Sequence, residues 1–265
     1  MKLSYTTVSI AKNLDFEQSV ALALDTGCAG IEFRTGGGFA HGVEVTLSPA
    51  QRSEKRRMLE DKYLEVVCIN SEHEMHNPDP AERKKVIEKA IRNAELAADM
   101  GCTRMRIFGN IIPEGVNAQD CVAYVSDTLG EIADAALPMN VTILLEMHGK
   151  FNYWGYSLPT VERANRPNVG LLYNCDMRDL IGGSMHETFT RVKKHVRHVH
   201  THDVGLGYPH LQLFEELVRM GYEDYVSAEI KETSDPTRVL RSHNQCMLAL
   251  MELAKLRVGV GLTGR

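Results

Sequence analysis

A chain of 265 residues that is 43% hydrophobic and 25% charged can bury one full core, and its length suits one large domain. Its formal net charge of −5 argues against a dedicated nucleic-acid binder, and no apolar run approaches the ~20 residues of a membrane helix. Cys28, Cys68, Cys102, Cys121, Cys175 and Cys246 form no CxxC pair, and the opening residues carry no signal core, so buried reduced thiols and a cytoplasmic location are expected.

Apolar, β-branched runs alternate with amphipathic stretches along the whole chain. Residues 3–9 read as a strand, and 16–25 as a helix closed by Gly27. A second strand at 29–33 leads through Gly36-Gly37-Gly38 to a helix opened by Ser48-Pro49, a cap followed by proline at the first helical position. Then come a strand at 64–69, a loop with Pro78 and Pro80, and a helix at 81–100. The pattern repeats with strands at 103–108 and 141–146 and helices at 118–136 and 158–164. It continues with strands at 169–174, 196–202 and 225–229, and helices at 187–194, 211–220 and 236–256. Strand–helix units of roughly 33 residues are what right-handed crossovers between parallel strands require. Eight of them without a linker predict a single-domain (β/α)8 TIM barrel over residues 1–265.

The last four strands each end on a group able to bind a metal: Glu146, Asn174, His200 and Glu229. In a closed barrel these ends converge on the catalytic face. A carboxylate closing a buried apolar strand needs a counter-charge or a metal, so Glu146 and Glu229 are either ligands or halves of structural ion pairs. His198, His200 and His202 alternate at period two and share one strand face. Asp176 shares a face with Asn174 and is the alternative ligand at that strand. His148 lies where it could reach the same cavity. Glu32 and Arg106 close other strands as substrate contacts or as ion-pair partners, and His73 lies in the loop after the third strand. A donor set of oxygen and nitrogen without thiolate suits Mn²⁺, Mg²⁺ or Co²⁺. Two glutamates beside one such ion suit proton transfer next to a carbonyl.

The segments Gly30-Ile31-Glu32, Leu145-Glu146-Met147-His148-Gly149, His200-Thr201-His202-Asp203 and 221–229 resemble the xylose isomerase-like barrel superfamily, in its sugar isomerase/epimerase branch. The resemblance covers nearly the whole chain. It implies one divalent metal, Mn²⁺ foremost with Mg²⁺, Co²⁺ or Zn²⁺ as alternatives, held by Glu146, Asn174, His200 and Glu229. It also implies that Glu146 and Glu229 are the acid/base pair acting through an enediolate. Substrate contacts are expected from Glu32, His73, Arg106, His148, His202 and Asp203. The chain departs from the family where Asp-x-x-His is usual, since it reads Asn174-Cys175-Asp176-Met177.

The expected function is a metal-dependent isomerase or epimerase of a carbohydrate or sugar acid, assembled as a homo-dimer or homo-tetramer, with no nucleic-acid or membrane partner. The alternative is a lyase resembling inosose or dehydroshikimate dehydratases. A non-catalytic sugar-binding protein and an endonuclease IV-like hydrolase rank below these.

Overall fold

Each strand is buried on both faces, by the barrel interior on one side and by helices on the other, which is why the runs are apolar without strict alternation. The computed structural model describes residues 1–259; positions 260–265 of the expected domain lie outside the described residues. The first half contains β1 (Lys2–Thr6), α1 (Phe16–Thr26), β2 (Gly30–Arg34), α2 (Pro49–Glu60), β3 (Glu65–Glu74), α3 (Pro80–Asp99), β4 (Arg104–Phe108) and α4 (Ala118–Ala136). The second contains β5 (Thr142–Glu146), α5 (Trp154–Ala164), β6 (Val169–Asn174), α6 (His186–Val192), β7 (Val196–Thr201), α7 (His210–Arg219), β8 (Tyr225–Ala228) and α8 (Pro236–Val258). Neighbouring strands pair in parallel and β1 closes on β8, so the fold is a single-domain TIM barrel. Among the described residues no helix is long and apolar enough to cross a membrane.

Local chemistry sets several helix starts. Asp15 with Gln18, and Ser48 with Gln51, form reciprocal capping boxes that satisfy the first free N–H groups of α1 and α2. Two boundaries differ from the sequence reading by four residues or more. Helix α5 begins at Trp154, four residues before the expected 158, because it tolerates Gly155 and Pro159, two residues that argue against a helix by propensity. Strand β3 continues to Glu74, since its polar end pairs with β4 after a register shift that no apolar pattern announces.

Two further irregularities aim side chains into the lumen. Val67 is skipped in the β2–β3 pairing, so Glu32 lies opposite Cys68 and Arg34 opposite Asn70. Arg197 is skipped between β6 and β7, which sets His198 beside Leu172 and His200 beside Asn174. Such bulges re-aim a strand near a functional face. The main core lies between sheet and helices, whereas Cys68, Leu144 and Leu172 form a separate small apolar cluster. Beside that cluster the barrel holds buried Glu32, Asn70, Arg106, Glu146, Asn174, His198 and His200. Burial on that scale is tolerable only if these groups satisfy one another.

Candidate functional site

At the end of β5, Glu146 is 2% exposed. Its Oε1 accepts from Asn174 Nδ2 at 3.0 Å, and its Oε2 lies 2.9 Å from Arg106 Nε. That second contact is an ion pair without an aligned hydrogen bond, so both atoms stay buried with unsatisfied hydrogen-bonding capacity. The counter-charge comes from β4, across the sheet, and not from a following loop. Asn174 also accepts, through Oδ1, from His202 Nε2 at 2.5 Å, and the opposite nitrogen of His202 lies 3.1 Å from the Glu229 carbonyl. The Asn174 amide therefore turns its nitrogen, and not its ligating oxygen, toward Glu146.

His200 stands between two carboxylates. Its Nε2 donates to Glu32 Oε2 at 2.9 Å, and its Nδ1 donates to Glu229 Oε2 at 3.1 Å. Burial opposes its charge, but Glu32 and Glu229 outweigh burial and raise its pKa to about 10, so without a metal the ring carries both protons, and ligating a cation would displace one of them. Burial likewise opposes a charge on Glu32, yet His200 and His198 hold that carboxyl well below its usual range. His198 donates to the other oxygen of Glu32 and lies 3.3 Å from Ser227 Oγ; burial lowers its pKa and keeps it neutral. For Glu229, burial works against charge, while the His200 hydrogen bond and charge depress the pKa to about 2.

Two trios bring possible ligand atoms within 4.8 Å of one another: Glu146, His200 and Glu229, and Glu32, His198 and His200. They share His200 and differ in access. Glu32 is completely buried and its oxygens are already taken by His198, His200 and Asn70, with Asn70 Nδ2 at 2.7 Å. The Glu229 side chain is 25% exposed. Only the first trio faces the barrel exit. Its two carboxylates and one imidazole, with an incompletely bonded oxygen on Glu146, fit a divalent cation.

The remaining expected residues divide. His202 joins the cluster through Asn174, as described. His148 hydrogen-bonds Asn110 Oδ1 at 3.1 Å beside the Phe108 ring, at the rim. Asp176 stands outside the trio, because Arg178 takes both its oxygens and its carboxylate caps the Arg178 backbone N–H. His73 bonds Asn93 at 3.0 Å, and Asp203 accepts from the Gly205 backbone at 2.9 Å. Both serve local structure in this arrangement. Sequence reasoning passed over Asn70 and Arg34, whose place is set by pairing partners far along the chain.

A family model described as xylose isomerase-like TIM barrel matches residues 20–250. The chain belongs to this family. A 2-oxo-tetronate isomerase of Cupriavidus necator is 24% identical over 156 residues, covering 53% of this chain and 59% of that protein. The chain spans about three fifths of the length of the curated relatives it matches. The solved structure of an L-ribulose 3-epimerase superposes with a TM-score of 0.82 at 17% identity, covering 100% of this chain and 98% of that one. A D-tagatose 3-epimerase-like protein gives 0.80 at 17% identity, covering 97% and 100%. At these identities the superpositions establish the shared family fold.

Proposed function

We propose that this chain is a divalent-metal-dependent isomerase or epimerase of a sugar or sugar acid, with Glu146 and Glu229 as its acid/base pair. The observation that carries the reading is the trio Glu146, His200 and Glu229 gathered at the exit of the barrel, the face on which such barrels do chemistry. The names of the similar proteins support the reaction class.

Glu146, His200 and Glu229 would hold the ion, with Asn174 beside them. When bound, the cation, Mn²⁺ foremost, supplies a positive charge that polarises the substrate carbonyl and adjacent hydroxyl. The chain's own residues position the proton carriers. Arg106 and Asn174 engage the two oxygens of Glu146, and His200 orients Glu229. Glu32 in turn orients His200, as carboxylates commonly do for ligating imidazoles. One glutamate takes the proton from the carbon next to the carbonyl, leaving an enediolate. Return of a proton to the other face of that carbon gives the epimer. Return to the former carbonyl carbon, with the hydroxyl proton passing between oxygens, gives the isomer.

The test is deuterium incorporation from D₂O into ketoses and sugar acids, followed by NMR with and without Mn²⁺. Exchange next to the carbonyl is expected with the metal, and Glu146→Gln or Glu229→Gln should slow it by about 10²–10⁴-fold. No exchange with any substrate under Mn²⁺, Mg²⁺, Co²⁺ or Zn²⁺ would refute the proposal. A product that has lost water would assign the chain to the dehydratases instead.

A further inference from the structure

Arg34, Asn70 and Arg106 are register partners on β2, β3 and β4. Glu32 points into the lumen, and Arg34 two residues later shares its face, so the three side chains stand abreast at the barrel exit. Both arginines donate through Nη1 to one acceptor, the Ser71 carbonyl oxygen, at 2.8 Å for Arg106. Two guanidinium groups on one carbonyl oxygen are neighbouring like charges, an arrangement that costs free energy unless an anion lies against it.

The anions on hand match only one of the two. Arg106 is 3% exposed and has Glu146 Oε2 at 2.9 Å. Arg34 bonds the carbonyls of Asn70 and Ser71 and forms no ion pair among the described residues; Glu72, Glu146 and Glu229 act on it only at longer range. Burial and the Arg106 charge lower its pKa to about 10, which still leaves it cationic at neutral pH. Between the two arginines in register, the buried Oδ1 of Asn70 has no hydrogen-bond partner. One positive charge thus remains unanswered next to the glutamate proposed to move the proton, while the Asn70 oxygen beside it calls for a donor such as a substrate hydroxyl.

We propose that Arg34 and Arg106 form a paired guanidinium cradle for a substrate carboxylate, so that the preferred substrates are hydroxy-oxo acids and not neutral ketoses. Guanidinium forks match the two oxygens of a carboxylate with parallel N–H donors. The placement also says where on the substrate the anion lies. Arg106 touches Glu146 directly, so a group held by this pair sits close to the reacting carbons. A carboxylate attached to the carbonyl carbon meets that requirement, whereas a phosphate at the far end of a sugar chain does not. The inference rests on the reaction proposed above for its chemistry, but its binding step can be read alone.

The test compares 2-oxo-tetronate with erythrulose, which carries CH₂OH where the acid carries COO⁻. In the unaltered protein loaded with Mn²⁺, NMR titration should show the acid binding about tenfold to hundredfold more tightly, the range for hydrogen bonds to a charged group. Arg34→Met should remove most of that preference, through KM more than kcat in the exchange assay, and Arg34→Lys should retain part of it. Equal binding of acid and ketose to the unaltered protein, or an unchanged preference in Arg34→Met, would overturn the cradle. If Arg34→Met does not fold, the unaltered protein's preference decides. If neither compound exchanges, the binding comparison still judges the cradle, and the reaction itself is judged by the wider substrate and metal screen above.

Discussion

Asn174 stands where the resemblance stated from the sequence leads one to expect an aspartate, and its amide bridges Glu146 and His202. An aspartate there would set a second carboxylate against Glu146 Oε1 in place of a donor at 3.0 Å, and would offer a cation one more anionic ligand. Asn174→Asp is therefore expected to cost about 1–3 kcal/mol of stability when no metal is added. It should also tighten Mn²⁺ binding by about tenfold or more, because affinity follows the ligand charge count. Denaturation and calorimetry with and without Mn²⁺ check both signs; no change in either would place Asn174 outside the metal site. At this scale Glu146 and His200 were legible because a charged or imidazole group closing a buried apolar run is locally anomalous. Arg34 was not, since arginine at a strand end is ordinary until its neighbour across the sheet is known.

The loop between β5 and α5 shows how elements hold these residues in place. Gly149 has φ of 61°, and the next residue, Lys150, donates its backbone N–H to the Asn110 carbonyl at 2.6 Å. This ties the loop after β5 to the one after β4, with His148 against Asn110 in the same contact. A side chain at Gly149 would be strained by its backbone and would press on Asn110 Oδ1, 2.5 Å from an added Cβ. Gly149→Ala is expected to cost about 1–3 kcal/mol in urea denaturation. A loss below a few tenths of a kcal/mol would show that the loop rearranges freely. The sequence signalled strands and helices well because burial on both faces imposes apolar runs and helices impose a 3.6-residue period. The bulges at Val67 and Arg197 carry no comparable signal, yet they decide which residues of β3 and β7 face the lumen.

Over the whole molecule, stability should peak near neutral pH. Burial is the largest cause that lowers the pKa values of His41, His210 and His243 to about 4, against ~6.5 in an unfolded chain. As pH falls from ~6.5 toward 4, the unfolded chain binds protons that the fold refuses, so each histidine removes up to about 1.4 kcal/mol per pH unit. His200 acts in the opposite sense. Its folded pKa of about 10 gives stability that is complete below ~6.5 and is lost as pH rises through 10. Glu229, depressed to about 2, adds stability present above ~4.3 and lost as pH falls through 2. Urea denaturation of the metal-free protein across this range should show a steep acid limb between pH ~6.5 and 4 and a gentler alkaline one. A flat profile on the acid side would mean that these histidines are not held neutral.

From the sequence alone came the eight-fold strand–helix repeat, the single-domain barrel and the strand ends that carry the candidate site. Those features follow from local periodicity and from which residue types can end a buried strand. The tertiary structure alone decided the partners: Arg106 on Glu146, Glu32 beneath His198 and His200, Arg178 drawing Asp176 away, and Arg34 beside Arg106. Apart from the Asp176 pair, these contacts join different strands, and Glu32 and His200 lie 168 positions apart. Barrel closure and two skipped residues bring them together. No local pattern records either one.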